Sequence, residues 1–240
     1  MATQEFVADS KESAIDLANI LQARPGTTVE IIFRPPNSFV VRLTSADAGG
    51  PVQPPPPPKD QPTSPPPPVG DGQIELSWGR AVSADFRAKV ISIAKSLSCD
   101  PNFLMAAMAF ETGGSFSPSI QNPRSHATGL IQFMPTTAAH LGTSIDSLSA
   151  MTAVGQLDVV QQYLKPFAGR MSALSDVYMT ILFPVAVAKP ESFVLFQKGT
   201  IAYEENAGLD TNHDGQITKA EAASLVQKKL EEGMSVKLRG

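Results

Sequence analysis

Eleven of the chain's 21 prolines fall between Pro51 and Pro68, five of them in the run Pro54 to Pro58 and four in Pro65 to Pro68. Proline fixes φ and has no N–H to donate, so the stretch can join neither a helix nor a sheet and is held in polyproline II. At about 3.1 Å per residue it reaches on the order of 50 Å. One continuous core cannot run across it. The 240 residues therefore divide into a small N-terminal module over 1–46, a linker over 47–73 and a larger globule over 74–240. An SH3-like ligand has the same composition, but a semi-rigid spacer is the simpler reading.

In the N-terminal module, Ala14, Leu17, Ala18, Ile20 and Leu21 recur at helical spacing before Gly26 stops them. Val29, Ile31 and Phe33 then alternate with Glu30 and Arg34, and Pro35-Pro36-Asn37-Ser38 turns the chain into Phe39, Val40, Val41 and Leu43. The expectation is a helix followed by a hairpin, a small α+β module with too little core to be stable without a partner or self-association. Beyond Ile74 the pattern is helical with almost no strand signal, so the fold class expected is mainly α. Helices are predicted near Phe86 to Leu97, from Pro101, and near Thr136 to Leu141, Ala153 to Tyr163, Leu174 to Phe183, Lys198 to Asn206 and Lys219 to Glu232.

Composition excludes several classes of function. A formal net charge of -4 without a Lys/Arg cluster gives no electrostatic footprint for nucleic acid or an anionic membrane. The single Cys99 rules out an internal disulfide framework and falls in a helix–helix connection, where it reads as a small packing residue. Met1 to Ser13 is polar and acidic, unlike a secretory signal, and the longest apolar stretch, Val177 to Ala188, contains Pro184 and is too short to span a bilayer.

Chemistry concentrates at Glu111. Phe103, Leu104, Ala106, Ala107, Met108, Ala109 and Phe110 leave the helix before it no hydrophilic stripe, so that helix should be buried and carry its terminal carboxyl into low dielectric. The carboxyl also sits at the negative end of the helix dipole, where Gly113 and Gly114 are placed to cap the last carbonyls. Both effects oppose ionisation, and a carboxyl kept protonated near neutral pH can act as a general acid. A structural Glu that caps or pairs is the plain alternative. Further on, Gly129-Leu130-Ile131-Gln132-Phe133-Met134-Pro135 sets one amide among large apolar side chains, a combination suited to a sugar's hydroxyls and apolar ring face.

Taken together, Glu111-Thr112 with Phe116-Ser117-Pro118, and Gly129-Leu130-Ile131-Gln132, resemble the first two motifs of the soluble lytic transglycosylases of the goose-type-lysozyme-like superfamily, Glu-Ser with Phe-x-Pro and Gly-Leu-Met-Gln. The resemblance spans about Phe86 to Gly208 and implies a lysozyme-like helical catalytic domain. It implies Glu111 as catalytic acid/base and Thr112, Ser125, Ile131, Gln132 and Phe133 as residues of the glycan groove. The family's Ser-Gly-Ala is Ser125-His126-Ala127 here, and His126 is a departure that reads as an exposed side chain. The third motif, Ala-Tyr-Asn, is degraded, and two tyrosines compete for its place. Tyr178, on an apolar helix, is preferred; Tyr203, which precedes Asn206-Ala207-Gly208, is held in reserve; and a core tyrosine with a satisfied hydroxyl is an equal alternative for the first.

The activity implied is cleavage of the β-1,4 bond between N-acetylmuramic acid and N-acetylglucosamine in peptidoglycan, ending in a 1,6-anhydro sugar, with no catalytic cofactor. Asp146, Asp158, Asp176 and Glu191 are available acids, each explained by a solvated face or a cap; one of them in the groove would make hydrolysis, a muramidase activity, credible. A third reading is a non-catalytic glycan-binding or structural virion protein, which the damaged tyrosine motif would suit.

Asp210 to Glu221 forms a separate constellation, with oxygen-bearing residues at loop positions 1, 3, 5, 9 and 12 and glycine at 6. That is the pattern of an EF-hand calcium loop. Asp210, Asn212 and Asp214 would offer side-chain oxygens, Gln216 its carbonyl, Thr218 a direct or water-mediated contact and Glu221 both carboxylate oxygens, with Ile217 as apolar anchor. The expected role is structural: Ca2+ fixing the last helix against the catalytic globule. An Asp-rich turn capping that helix without metal is the alternative.

The modular build suits a bacteriophage wall-degrading protein, either a lysin that waits in the host cytoplasm for release to the periplasm or a component of the virion tail. Lys11, Arg24, Arg34 and Arg42 against Glu5, Asp9, Glu12, Asp16 and Glu30 leave the N-terminal module slightly acidic. That leans away from a basic wall-binding patch and toward docking on another protein, such as one of the virion tail or baseplate.

Overall fold

The computed structural model describes residues 2–8, 27–34, 38–45, 75–123 and 125–240. The helix expected over Ala14 to Leu21 and the proline linker lie outside the described residues. Near the N-terminus, strands β1 (Ala2–Ala8), β2 (Thr27–Arg34) and β3 (Ser38–Ser45) form an antiparallel sheet of order β1-β3-β2. The β2–β3 hairpin follows the predicted alternation, with Val29 opposite Leu43, Ile31 opposite Val41 and Phe33 opposite Phe39. Strand β1 has no counterpart in the sequence reading. Its Ala2, Glu5 and Ala8 are weak strand formers alone, and pairing with β3 from Ala2–Ser45 to Ala8–Phe39 supplies what local propensity lacks.

The larger region is mainly α. Helix α1 (Ala84–Leu97) starts where the Ser83 hydroxyl accepts the Phe86 N–H at 3.2 Å and buries Phe86, Val90, Ile93, Ala94 and Leu97 on one stripe. Ser98 and Cys99 make the connection to α2 (Pro101–Glu111), capped by Asp100 with proline in its first turn. Burial and Asp100 push the Cys99 thiol up to about 11, so the cysteine is an inert packing residue.

Six consecutive residues of α2, Leu104 to Ala109, are buried, and the helix runs through the middle of the globule. Around it lie α3 (Pro135–His140), α4 (Ile145–Ala150), α5 (Ala153–Leu164), α6 (Leu174–Leu182), α7 (Ile201–Asn206) and α8 (Lys219–Gly233). Helices α1, α6 and α8 pack directly on α2. An all-round apolar helix needs partners on several sides, and this one has them.

Two features depart from the sequence expectation. Helix α4 is extra: six residues capped by Ser144, whose side chain accepts the Ser147 N–H, a piece too short to show a helical period. Strands β4 (Val194–Gln197) and β5 (Gln216–Thr218) pair antiparallel, so that α7 and the first part of the 210–221 segment form the connection between them. No helix among the described residues is long and apolar enough to cross a membrane.

Candidate active site

The groove forms where α2 ends. Thr112 N–H donates to Met108 O at 3.0 Å and Gly114 N–H to Ala109 O at 2.7 Å, so the residues after Glu111 satisfy the helix's last carbonyls as the glycine pair predicts. Gly114 has φ +84°, and a Cβ there would stand 2.8 Å from the ring of Trp78, which is anchored by its indole N–H to Lys229 O at 2.8 Å. Only glycine allows this approach.

Thr112 faces inward. Its hydroxyl donates to Met108 O at 2.7 Å and accepts the Phe116 N–H at 3.1 Å, and the residue is 1 % exposed. It does not line the groove, which corrects the expectation that it touches glycan. It holds Phe116 instead, whose ring packs edge-on against Phe86 at 5.8 Å.

The second motif is a tight loop. Thr128 and Phe133 exchange backbone hydrogen bonds at 3.0 and 2.9 Å, and Gly129 N–H donates to Ile120 O at 2.9 Å. Gln132 takes a left-handed φ of +52°, and its amide nitrogen donates to Gly129 O at 3.0 Å and Ile120 O at 3.3 Å.

Behind this loop stands Gln156 of α5, fully buried. Its Oε1 accepts the Leu130 N–H at 2.7 Å, and its Nε2 donates to Pro118 O at 3.0 Å and Leu148 O at 2.9 Å. One side chain thus ties the loop after Glu111, the Gly129–Phe133 loop and the end of α4 together. Gly129, at φ +84°, makes room for it, since a Cβ there would lie 2.2 Å from the Gln156 oxygen.

The resulting groove has a volume of about 340 Å³, in the range of small-ligand sites. Glu111, Ser125, Ile131, Gln132, Phe133 and Tyr178 all line it, as expected, together with Phe110, Ala127, Met134, Thr137, Tyr163, Ile181, Leu182 and Asn206. His126, the departure from the family pattern, is exposed and does not line it.

Glu111 is the only carboxylate in that lining. The groove leaves part of its surface open, yet the protein packed around it raises its pKa to about 8, with burial as the cause. Tyr178, 3 % exposed, packs edge-on against Phe110 at 5.4 Å. Its hydroxyl is pushed well above the usual phenol range by burial and then by the charge of Glu111, so the two groups share one low-dielectric space.

Tyr203 does not reach the groove, which removes it as a saccharide contact. Its hydroxyl donates to Asp210 Oδ2 at 2.5 Å, and that bond together with burial takes its pKa to about 12. Asn206, from the same degraded segment, does line the groove; two extra residues separate it from Tyr203 relative to the family pattern, and this spacing was the available signal. The other acids stand elsewhere. Asp158 pairs with Lys89 at 2.8 Å, Asp176 with Lys219 at 2.6 Å, Glu191 accepts the Ser175 hydroxyl at 2.6 Å, and Asp146 lies in the first turn of α4.

In the 210–221 loop, Asn212 Oδ1 accepts the Asp214 N–H and Asp214 Oδ1 the Gln216 N–H, both at 2.8 Å, while Asp210 Oδ2 accepts the Gly215 N–H at 3.0 Å. Thr218 and Glu221 form a capping box at the start of α8. Among the described residues no three His, Cys, Asp or Glu side chains converge as a ready metal cluster. The loop's three acids, Asp210, Asp214 and Glu221, therefore do not already converge on one point, and filling an EF-hand site would draw them together with the oxygens of Asn212, Gln216 and Thr218. Comparison with protein-family models, with curated proteins and with solved structures finds no match.

Proposed function

We propose that this protein is a peptidoglycan lytic transglycosylase with a lysozyme-like catalytic domain, in which Glu111 serves as the single acid/base. The observation that carries the reading is a lone carboxyl, with its pKa raised to about 8 by burial, in a groove lined by Gln132, Ser125, Tyr178 and apolar side chains.

Protonated Glu111 gives its hydrogen to the bridging O4 as the bond from O4 to C1 of N-acetylmuramic acid breaks. The substrate's own acetamido group stabilises the positive charge that develops at C1, so no second carboxylate is required. The Glu111 carboxylate then takes the proton of the muramyl O6 hydroxyl as O6 bonds to C1. Two products form, one ending in a 1,6-anhydro ring, with no water consumed and the acid restored. The Gln132 amide and Ser125 hydroxyl are suited to sugar hydroxyls, and Phe110, Ile131 and Phe133 to ring faces. The Tyr178 hydroxyl, held neutral, is suited to donating a hydrogen bond to the acetamido group or the muramyl ring substituents.

The test is turbidity loss of purified sacculi with mass analysis of the released muropeptides. Ends one water lighter than hydrolytic ends, lost in Glu111→Gln, are the expected result. Ordinary reducing ends would make the enzyme a hydrolytic muramidase, and equal inactivity of both proteins would leave only glycan binding. The N-terminal module on its proline spacer fits docking of a phage lysin or virion-associated enzyme, with a tail or baseplate protein as partner.

A further inference from the structure

The 210–221 loop is tied at its two ends to the two helices that carry Tyr178 and Asn206 into the groove. At the loop's entry, Asp210 accepts the hydroxyl of Tyr203. Tyr203 belongs to α7, whose last residue, Asn206, lines the groove and ties its amide to Ala202 O at 2.8 Å. At the loop's exit, Lys219 crosses to α6, donating to Asp176 Oδ1 at 2.6 Å and to Lys189 O at 2.8 Å. Asp176 stands two residues before Tyr178. Asp210 and Lys219 are 2 % and 1 % exposed, so both ties are made away from water.

Within the loop, two carboxylate oxygens, Asp210 Oδ1 and Glu221 Oε1, are buried without a hydrogen-bond partner. An ionised oxygen held so is costly unless something positive meets it. They come from loop positions 1 and 12, the two that contribute carboxylates at the start and end of an EF-hand loop. The donors are oxygens throughout; His213 falls at position 4, exposed, with φ +60°. Such a hard, irregular oxygen set matches Ca2+ rather than Zn2+ or octahedral Mg2+.

We propose that the 210–221 loop is a Ca2+ site whose occupancy braces α6 and α7, the wall of the groove, through Lys219–Asp176 and Asp210–Tyr203. The site itself does not depend on what the groove binds; only its consequence for glycan cleavage rests on the lytic reading.

The test uses the full chain without any sugar. Calorimetric titration of chelator-treated protein with CaCl2 should give one site, lost in Asp210→Asn and at least tenfold weaker for MgCl2. Hydrogen exchange with and without Ca2+ should then show at least fivefold slower exchange in Ala202–Asn206 and Val177–Leu182, beyond the loop and α8. Tyr203→Phe, which keeps the ring and removes the tie, should retain Ca2+ binding and the protection of α6 while losing that of α7. No heat of binding overturns the site. Protection confined to 210–221 and α8, or unchanged by Tyr203→Phe, overturns the bracing. Protection of α6 and α7 in a protein that cleaves no sacculi supports it while sinking the lytic reading.

Discussion

Two buried acids of this chain, Glu111 at the end of α2 and Asp176 in the first turn of α6, are driven in opposite directions. Burial raises Glu111 to about 8 and nothing opposes it. Burial would raise Asp176 as well, but the Lys219 hydrogen bond, the Ala188 N–H at 2.8 Å and the Lys219 charge hold it below the usual carboxylate range. Low dielectric does not decide the charge of a carboxyl; the partners it meets there do. One acid is left protonated and available for chemistry, the other is ionised and structural.

The largest effect should come from ending the chemistry at the unpaired acid. Glu111→Gln keeps shape and packing and should lower the rate of sacculus cleavage about 10²- to 10⁴-fold, the usual worth of a general acid, as read by turbidity. Its stability should not fall, because the amide carries no charge to bury. Next is the converse at the paired acid. Lys219→Met strands Asp176 and should cost ~3–5 kcal/mol in chemical denaturation, whereas Lys219→Met with Asp176→Leu should recover most of that loss. If the double variant is no better than the single, the pair is not what stabilises α6 against α8.

A somewhat smaller effect tests the neutral counterpart of these groups. Gln156→Ala removes three hydrogen bonds, two of them fully buried, and should cost ~2–4 kcal/mol. Catalysis should fall further than stability explains, since both motif loops lose their common anchor; a variant that melts early yet cleaves normally would limit Gln156 to packing.

The mildest test is pH. The folded protein keeps a proton on Glu111 that the unfolded chain releases near the ordinary value of 4.5. Glu111 therefore makes stability decline as pH rises from about 4.5 to about 8, by roughly 2–4 kcal/mol, with no further change above. Asp176 works the other way: its contribution is present above its ordinary value of 3.8 and is lost as pH falls through its lowered folded value. Melting curves should lose the neutral-range slope in Glu111→Gln and keep the acid-range one. The rate of cleavage by wild type should drop above about 8 as the general acid deprotonates.

Much of the groove was legible before any coordinates. The run Leu104 to Ala109 announced a central helix, and Gly113-Gly114 announced its end. The Gly129–Phe133 segment carried both an amide and apolar neighbours, and Ser125, Ile131, Gln132, Phe133 and Tyr178 do come together around Glu111. Gln156 was not legible, because a glutamine in a helix that opens with Thr152 looks like any surface amide until Leu130, Pro118 and Leu148 arrive around it. The exclusion of Thr112 and Tyr203 from the groove was equally hidden. Both are polar residues beside motif positions, and only the direction of each hydroxyl, one to Met108 O and the other to Asp210, separates support from contact.

Sequence alone indicated what is local or periodic: the longer helices beyond Ile74, the end of α2 at Gly113-Gly114, and the oxygen spacing from Asp210 to Glu221. Those follow from glycine's φ freedom, hydrogen-bonding capacity and 3.6-residue repetition, which need no distant neighbour. Tertiary structure alone decided which acid met a cation. Asp176 and Lys219 lie 43 residues apart, and the free energy of an ionised group depends on charges a few ångströms away in space, not along the chain.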